Sequence, residues 1–573
     1  MHRCLWWFLL LLLSGVSSAA EYQVRLERNV AAAMRDGATL KADIYRPDAQ
    51  GQFPVLLART PYGKANSDSS GMARRGYIAV VQDVRGRGES EGVFHPFMGD
   101  EQDGYDSVEW AAQLPGSNGK VGMFGGSYGG LTQMMAAAAA PPHLVAIFPV
   151  FPAIGFDSHQ LLFEGGAFRQ LVAQSWGVAQ TTEHYPKTIA RMAADAGYFT
   201  EVMKRLPLGD FMEAVHREVM ARGGGGYFRE WVRNAPGSDY WQRVDFAGKV
   251  GKIRAPGCYV GGWFDLFGPA TAAVFNAIQR GAATEAARTK SQLILGPWTH
   301  GGSRAPVGDA DFGKEAAISF GAYQNLWFDY WLKGEANEVP SQPAVRVFLM
   351  GENRWLPLAA WPPQQARPYR LYLSGSQSLN EQGAEGQPDV LEADPANPVP
   401  TRGGGLCCHL GFPAGTFDQR QLAERKDVLS YTTAPLERAL AVAGEVSVVL
   451  WLAASTSDAD IAAKLIDVDP SGKALNLADG ALRLRYRNSF VKAEPLRPGK
   501  TFQVRVKLGS TAHTFRAGHR LRLMLAGSDF PYLSVNLNTG EELEKAVRGR
   551  VARTRIFHDA QRASCLELAP VTK

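Results

Sequence analysis

Gly122-Met123-Phe124-Gly125-Gly126-Ser127-Tyr128-Gly129-Gly130 is the stretch that decides how the chain is read. Within it, residues 125–129 spell Gly-x-Ser-x-Gly. A strand-like run over 120–124 precedes them, and a small-residue segment over 130–140 follows, ending at Pro141-Pro142. A strand that turns abruptly into a helix leaves the side chain at the turn exposed, and a serine there is free to act as a nucleophile. Small residues two before and two after it are expected, because the turn packs backbone on backbone. The two prolines then end the helix.

The neighbouring segments build a sheet around this turn. Residues 40–45 alternate apolar and polar side chains, as an edge or antiparallel strand does, whereas 54–58, 78–81 and 144–150 are continuous apolar runs. Such runs suit strands covered on both faces, and their separation by helices predicts a parallel sheet with right-handed crossovers. From 153 to 252 helix-like stretches dominate, among them 185–196 and 210–222, with a Gly223–Gly226 run, which predicts a helical insertion. Strand-like runs return at 257–260 and 292–295, and 327–332 reads as a closing helix. Short alternating segments then recur at 345–350, 369–373, 446–452, 501–508 and 520–525, which predicts an all-β jelly roll. The organisation expected is a leader (1–20), an α/β core in two parts (21–152 and 253–340), a helical cap (153–252) and a C-terminal β domain (345–573).

The whole-chain quantities narrow the function. The 573 residues have ample material for several cores, and 45% hydrophobic with 20% charged residues is ordinary globular composition. A net charge of +5, with basic residues scattered, argues against a nucleic-acid partner. His2-Arg3, an apolar run over 5–13 and a small-residue end at Ala19-Ala20 read as a cleavable secretory signal. That run is far shorter than the roughly 20 residues a membrane span needs. A periplasmic or secreted protein without a stable membrane anchor is therefore expected. Cleavage leaves Cys258, Cys407, Cys408 and Cys565, which allow three pairings. A Cys407–Cys408 bridge between neighbours and unpaired buried thiols both remain open. The pattern suggests no metal site and no cofactor.

A serine needs an imidazole to take its proton and a carboxylate to orient that imidazole. Asp265 falls just past the strand at 258–260 and His300 just past that at 293–295, in the order Ser, Asp, His. Both therefore sit at strand carboxyl ends, where α/β sheets place their sites. For the oxyanion, the N–H of Tyr128 is available from the turn. Tyr62, in Arg59-Thr60-Pro61-Tyr62-Gly63-Lys64, offers a hydroxyl. Phe264 and Phe267 are candidates to line an apolar substrate pocket.

Several segments together resemble the CocE/NonD group of α/β hydrolases, which includes cocaine esterase and X-prolyl dipeptidyl peptidase relatives. They are Arg59-Thr60-Pro61-Tyr62, Asp83-Val84-Arg85-Gly86-Arg87-Gly88, the serine turn, Gly262-Trp263-Phe264-Asp265, Gly296-Pro297-Trp298-Thr299-His300 and Trp327-Phe328-Asp329-Tyr330-Trp331-Leu332. In the β region Phe417-Asp418-Gln419-Arg420 and Ala517-Gly518-His519-Arg520 are also similar. The resemblance implies an α/β-hydrolase core with a helical cap and a C-terminal jelly roll. It also implies that Tyr62 completes the oxyanion hole. Asp83 and Arg85 are then structural, tying a strand end to the serine turn. Relatives that hydrolyse amino esters hold the substrate ammonium with carboxylates; Asp309, Asp311 and Glu315 follow His300, but read better as a solvated acidic loop.

The expected function is ester (or amide) hydrolysis through an acyl-enzyme on Ser127, acting on a small molecule or short peptide. The alternatives are an X-prolyl dipeptidyl aminopeptidase or an α-amino-acid ester hydrolase or acylase. A different class, an inactive surface- or carbohydrate-binding protein, is disfavoured by the intact Ser127–Asp265–His300 set.

Overall fold

The computed structural model describes residues 21–157, 160–180, 195–210, 226–363, 368–383 and 385–571. The leader at 1–20 and nearly all of the helices expected over 185–196 and 210–222 lie outside the described residues.

The first part of the chain forms β1 (Val24–Ala33), β2 (Thr39–Pro47), β3 (Phe53–Thr60), α1 (Ser70–Arg74), β4 (Ile78–Asp83), α2 (Asp100–Ala112), β5 (Ser117–Gly126), α3 (Tyr128–Ala139) and β6 (Leu144–Val150). A two-strand hairpin, β7 (Phe163–Glu164) and β8 (Ala167–Phe168), and α4 (Gln170–Ala179) belong to the insertion. The sheet then resumes with β9 (Cys258–Phe264), β10 (Gln292–Thr299), β11 (Val345–Leu349) and β12 (Arg354–Leu358). Its strand order is β1-β2-β4-β3-β5-β6-β9-β10-β11-β12. Pairing is parallel from β4 to β11 and antiparallel at both ends. This is an α/β-hydrolase sheet, with the cap inserted in the crossover from β6 to β9.

Strand alternation sends side chains to two cores. Val55, Leu57, Met123, Ile147, Leu293 and Leu295 pack with Leu131 and Met134 of α3. Leu56, Phe148, Val260 and Ile294 pack with Trp327 and Phe328 on the opposite face. Fully burying each such aliphatic or aromatic side chain contributes about 1.5–3 kcal/mol, so both faces hold the central strands in place. Gly122 is demanded by this packing, because a Cβ there would come within 2.8 Å of the Phe328 ring.

The rest of the chain is all-β and mostly antiparallel. Its long strand Leu440–Ala454 buries Val446, Val448, Leu450 and Leu452 in one core, with Glu445 exposed beside them. The segment 345–350, expected at the start of this domain, pairs with the first sheet. Val345 and Val347 pair in parallel with Leu293 and Leu295, so β11 extends the first sheet. Val345, Val347 and Leu349 face the α/β core, while Phe348 and Met350 face the β-domain core. A strand that serves two cores has the local pattern of either domain.

Candidate active site

Ser127 joins β5 to α3 with φ 56° and ψ −119°. A residue with a Cβ enters this region at a cost on the order of 1–3 kcal/mol and stays there only where its surroundings hold it. Here the Ser127 N–H donates to Val150 O at 2.9 Å. Ser127 O accepts from the N–H groups of Gly130, Leu131 and Ala153 at 2.9, 3.1 and 3.0 Å. Gly125 has φ 136°, and a Cβ on it would lie 3.3 Å from Gly129 Cα. The other close approach is not at Gly129, where a Cβ would sit 3.7 Å from Arg59 O. It is at Gly130, where a Cβ would meet Pro152 Cα at 2.7 Å.

The ends of β9 and β10 bring Asp265 and His300 to this turn. His300 Nε2 lies 2.8 Å from Ser127 Oγ, and His300 Nδ1 lies 2.9 Å from Asp265 Oδ1. A proton on Nδ1, held by the carboxylate, leaves Nε2 to accept the serine proton. Asp265 is 2% exposed. Its other oxygen has no hydrogen-bond partner among the described residues, so the carboxylate is directed at the imidazole.

Behind the turn lies a buried polar chain. Tyr128 donates its hydroxyl to Asp100 Oδ2 at 2.7 Å and accepts the Phe97 N–H at 2.9 Å. Asp100 Oδ1 in turn accepts from Arg59 Nη1 at 3.2 Å. Burial raises the Asp100 carboxyl, with Arg59 and Tyr128 pulling the other way. Burial, then the Asp100 charge, raises the Tyr128 hydroxyl well above its ordinary value, so it stays a neutral donor. Tyr128 is the first residue of α3, and a first-turn N–H has no partner within its own helix.

Tyr62 and Phe267 line one cleft with Ser127 and His300. The cap contributes Trp176 and Trp231 to the same cleft, and the β domain contributes Cys407 and Cys408. No described residue lining it is charged. Phe267 packs edge-on to His300 with ring centroids 5.6 Å apart. Phe264 does not join it, which corrects the expectation for that residue. As the last residue of β9 it turns into the β-domain core, 1% exposed, against Phe312. The loop residues Asp309, Asp311 and Glu315 are exposed and line no part of the cleft.

Asp83 is structural, but its target differs from the serine turn expected. Asp83 Oδ1 accepts the Lys64 N–H at 2.6 Å, and Oδ2 pairs with Lys64 Nζ at 3.2 Å, so it braces the loop that presents Tyr62. Arg85 bonds Asp103 and Asp36. The Tyr62 Oη accepts from Trp176 Nε1 at 3.3 Å, which leaves the tyrosine's own proton to donate elsewhere. Among the described residues no group of three or more His, Cys, Asp or Glu could hold a metal ion, and no helix is long and apolar enough to cross a membrane.

Residues 36–302 match the family model described as X-Pro dipeptidyl-peptidase (S15 family). Residues 337–567 match the X-Pro dipeptidyl-peptidase C-terminal non-catalytic domain. The cocaine esterase of Rhodococcus sp. (strain MB1 Bresler) is 31% identical over 550 residues, covering 90% of this chain and 94% of that one. The chain belongs to the CocE/NonD family of serine hydrolases. Two solved structures resemble this CocE/NonD hydrolase over nearly its full length. An α-amino acid ester hydrolase superposes with a TM-score of 0.82 at 26% identity, covering 97% of this chain and 98% of that one. An aminopeptidase from a Thaumarchaeota archaeon gives 0.78 at 27% identity, covering 96% and 97%.

Sequence reasoning missed three features of this CocE/NonD hydrolase. Asp100 opens α2 without any motif around it. Trp176 lies in the insertion, where an aromatic at helical spacing reads as core. Cys407-Cys408 is conspicuous as a pair, but its distance of 280 residues along the chain from Ser127 hides its place at the cleft.

Proposed function

We propose that the protein is an exported carboxylesterase that cleaves esters of neutral acyl groups through an acyl-enzyme on Ser127. The observation carrying this reading is the Ser127–His300–Asp265 relay opening into a cleft whose described walls hold no charged side chain. An ammonium group brought to such walls would lose its water without a counter-charge, a costly transfer. This disfavours the free amino terminus of an X-prolyl peptidase substrate and the amine of an α-amino ester. Neutral acyl groups suit the apolar surface.

In this scheme His300 Nε2 takes the Ser127 proton as Oγ attacks the ester carbonyl carbon. Asp265 stabilises the imidazolium that forms. The carbonyl oxygen, now negative, receives hydrogen bonds from the Tyr128 N–H and the Tyr62 O–H. The tetrahedral adduct collapses, the C–O bond to the alcohol breaks, and His300 returns the proton to the departing alkoxide. Water then repeats the sequence on the acyl-enzyme and releases the acid. The apolar run over 5–13 supports export, and the Cys407–Cys408 bond suits an oxidising compartment.

The test compares p-nitrophenyl acyl esters, an amino-acid p-nitrophenyl ester and Ala-Pro-p-nitroanilide, in the native enzyme and in Ser127→Ala. Hydrolysis of the neutral esters, with loss of that activity and of fluorophosphonate labelling in the variant, is the expected outcome. Preference for the anilide or the amino-acid ester would overturn the substrate assignment. Undiminished labelling of Ser127→Ala would move the nucleophile elsewhere.

A further inference from the structure

The cleft contains one covalent bond that the hydrolytic scheme leaves unused. Cys407 and Cys408 are joined as a disulfide, and both line the cleft with Ser127 and His300. They arrive from the β domain on a loop pressed tightly into place. A Cβ on Gly404 would lie 2.9 Å from the Asp479 carboxylate oxygens. One on Gly405 would lie 3.3 Å from Leu266 N and Cα, so the loop backbone rests on the turn that holds Asp265. Next along the loop, His409 stacks on Phe199 of the cap with ring centroids 4.3 Å apart. The loop is thus held by contacts with the β domain, the turn of Asp265 and the cap, and its two cysteines line the cleft.

The pair also lies outside the buried core. Cys408 is exposed and Cys407 half-buried. The other two described cysteines, Cys258 and Cys565, are buried and unpaired. Burial pushes their thiols up to about 12 and about 11, which suppresses the thiolate needed for exchange. Thiol chemistry on the folded protein is therefore directed to the cleft wall.

We propose that the Cys407–Cys408 bond is a thiol-sensitive wall of the substrate cleft, and that a dithiol reductant cutting it changes which acyl groups Ser127 accepts. The inference rests on the reading of Ser127 as nucleophile. A thiolate of the dithiol attacks Cys408 Sγ, forming a mixed disulfide and releasing the Cys407 thiolate, which takes up a proton. The second thiol of the reagent attacks its own sulfur in the mixed disulfide and releases the Cys408 thiolate, which is protonated in turn. The protein gains two electrons and two protons, and the reagent leaves as a cyclic disulfide. Each thiol then turns independently about its own χ1, so a fixed apolar wall becomes two small movable side chains.

The experiment uses the full-length oxidised protein with and without dithiothreitol. It measures kcat/KM for p-nitrophenyl acetate and p-nitrophenyl benzoate, and traps thiols on the folded protein with iodoacetamide for mass mapping. Reduction is expected to place labels at Cys407 and Cys408. The benzoate-to-acetate ratio is expected to shift about tenfold, the scale of a methylene-sized change in an apolar pocket, and to return on reoxidation. A double variant, Cys407→Ser with Cys408→Ser, should show a fixed ratio that ignores the dithiol. Free thiols at these positions in the untreated protein overturn the proposal. So do a bond that survives the dithiol, an unchanged ratio after labelling, and a double variant that responds like the parent. Absence of fluorophosphonate labelling at Ser127 in both redox states would instead overturn the nucleophile reading, and this inference with it.

Discussion

Tyr128 donates its hydroxyl to Asp100 Oδ2 at 2.7 Å, so the residue beside the proposed nucleophile is anchored on a carboxylate from the start of α2. The pair is buried, and Arg59 completes it from the end of β3. Three segments distant in sequence therefore fix the backbone whose N–H is proposed to meet the oxyanion.

Tyr128→Phe removes that donor and leaves Asp100 and the Phe97 N–H each short of a partner. Unpaired buried groups cost about 1–3 kcal/mol, so the melting temperature should fall measurably. The activity of the folded fraction should drop through kcat more than KM, because the loss is of positioning. A variant as stable as the parent would show that the chain through Asp100 contributes little.

Tyr62→Phe tests the second oxyanion donor. Trp176 Nε1 donates to the Tyr62 oxygen, which leaves the hydroxyl proton available to the substrate. Losing one such donor lowers kcat by roughly 10²–10³ with little change in KM. Steady-state kinetics on a neutral p-nitrophenyl ester reads this directly, and an unchanged kcat would remove Tyr62 from the oxyanion site.

The glycines after the serine should behave opposite to their rank in the Gly-x-Ser-x-Gly pattern. Gly129→Ala puts a Cβ in ordinary contact with Arg59 O, and the gain in helix propensity is up to about 1 kcal/mol. Gly130→Ala drives a Cβ against the Pro152 backbone, and overpacking of this kind costs about 1–3 kcal/mol. Thermal unfolding of the two variants should separate them, with Gly130→Ala the weaker.

Asp479, beside the loop of Cys407 and Cys408, imposes a pH dependence on stability. Burial pushes its carboxyl up to about 6 against the pull of Lys464. The unfolded chain loses this proton near pH 4, whereas the folded protein keeps it until about pH 6. Stability contributed by the protonated group is therefore fully present below pH 4 and lost as the pH rises through 6. Asp479→Asn stays neutral throughout. It should match the parent at pH 4 and exceed it at pH 8 by on the order of 2 kcal/mol, as denaturant unfolding at both pH values would show.

The sequence by itself determined what depends on near neighbours. Strand periodicity, the glycines around Ser127, the prolines after α3 and the order Ser127, Asp265, His300 are local properties of short segments. Local steric and hydrogen-bonding rules are enough to read them. Tertiary structure alone decided what depends on which distant segment packs alongside. Phe264 and Phe267 are three residues apart, yet one enters the β-domain core and the other the cleft. Asp83 turned out to brace the loop of Tyr62, a task that fell to Asp100 for the serine turn. β11 joined the first sheet although its alternation fits the second domain equally well. The neighbouring cysteines, open between bridge and free thiols in the sequence, became a disulfide at the wall of the cleft. In each case the outcome is set by contacts between residues far apart in the chain. A pattern of apolar and polar positions records that a side chain is buried, and only packing decides against what.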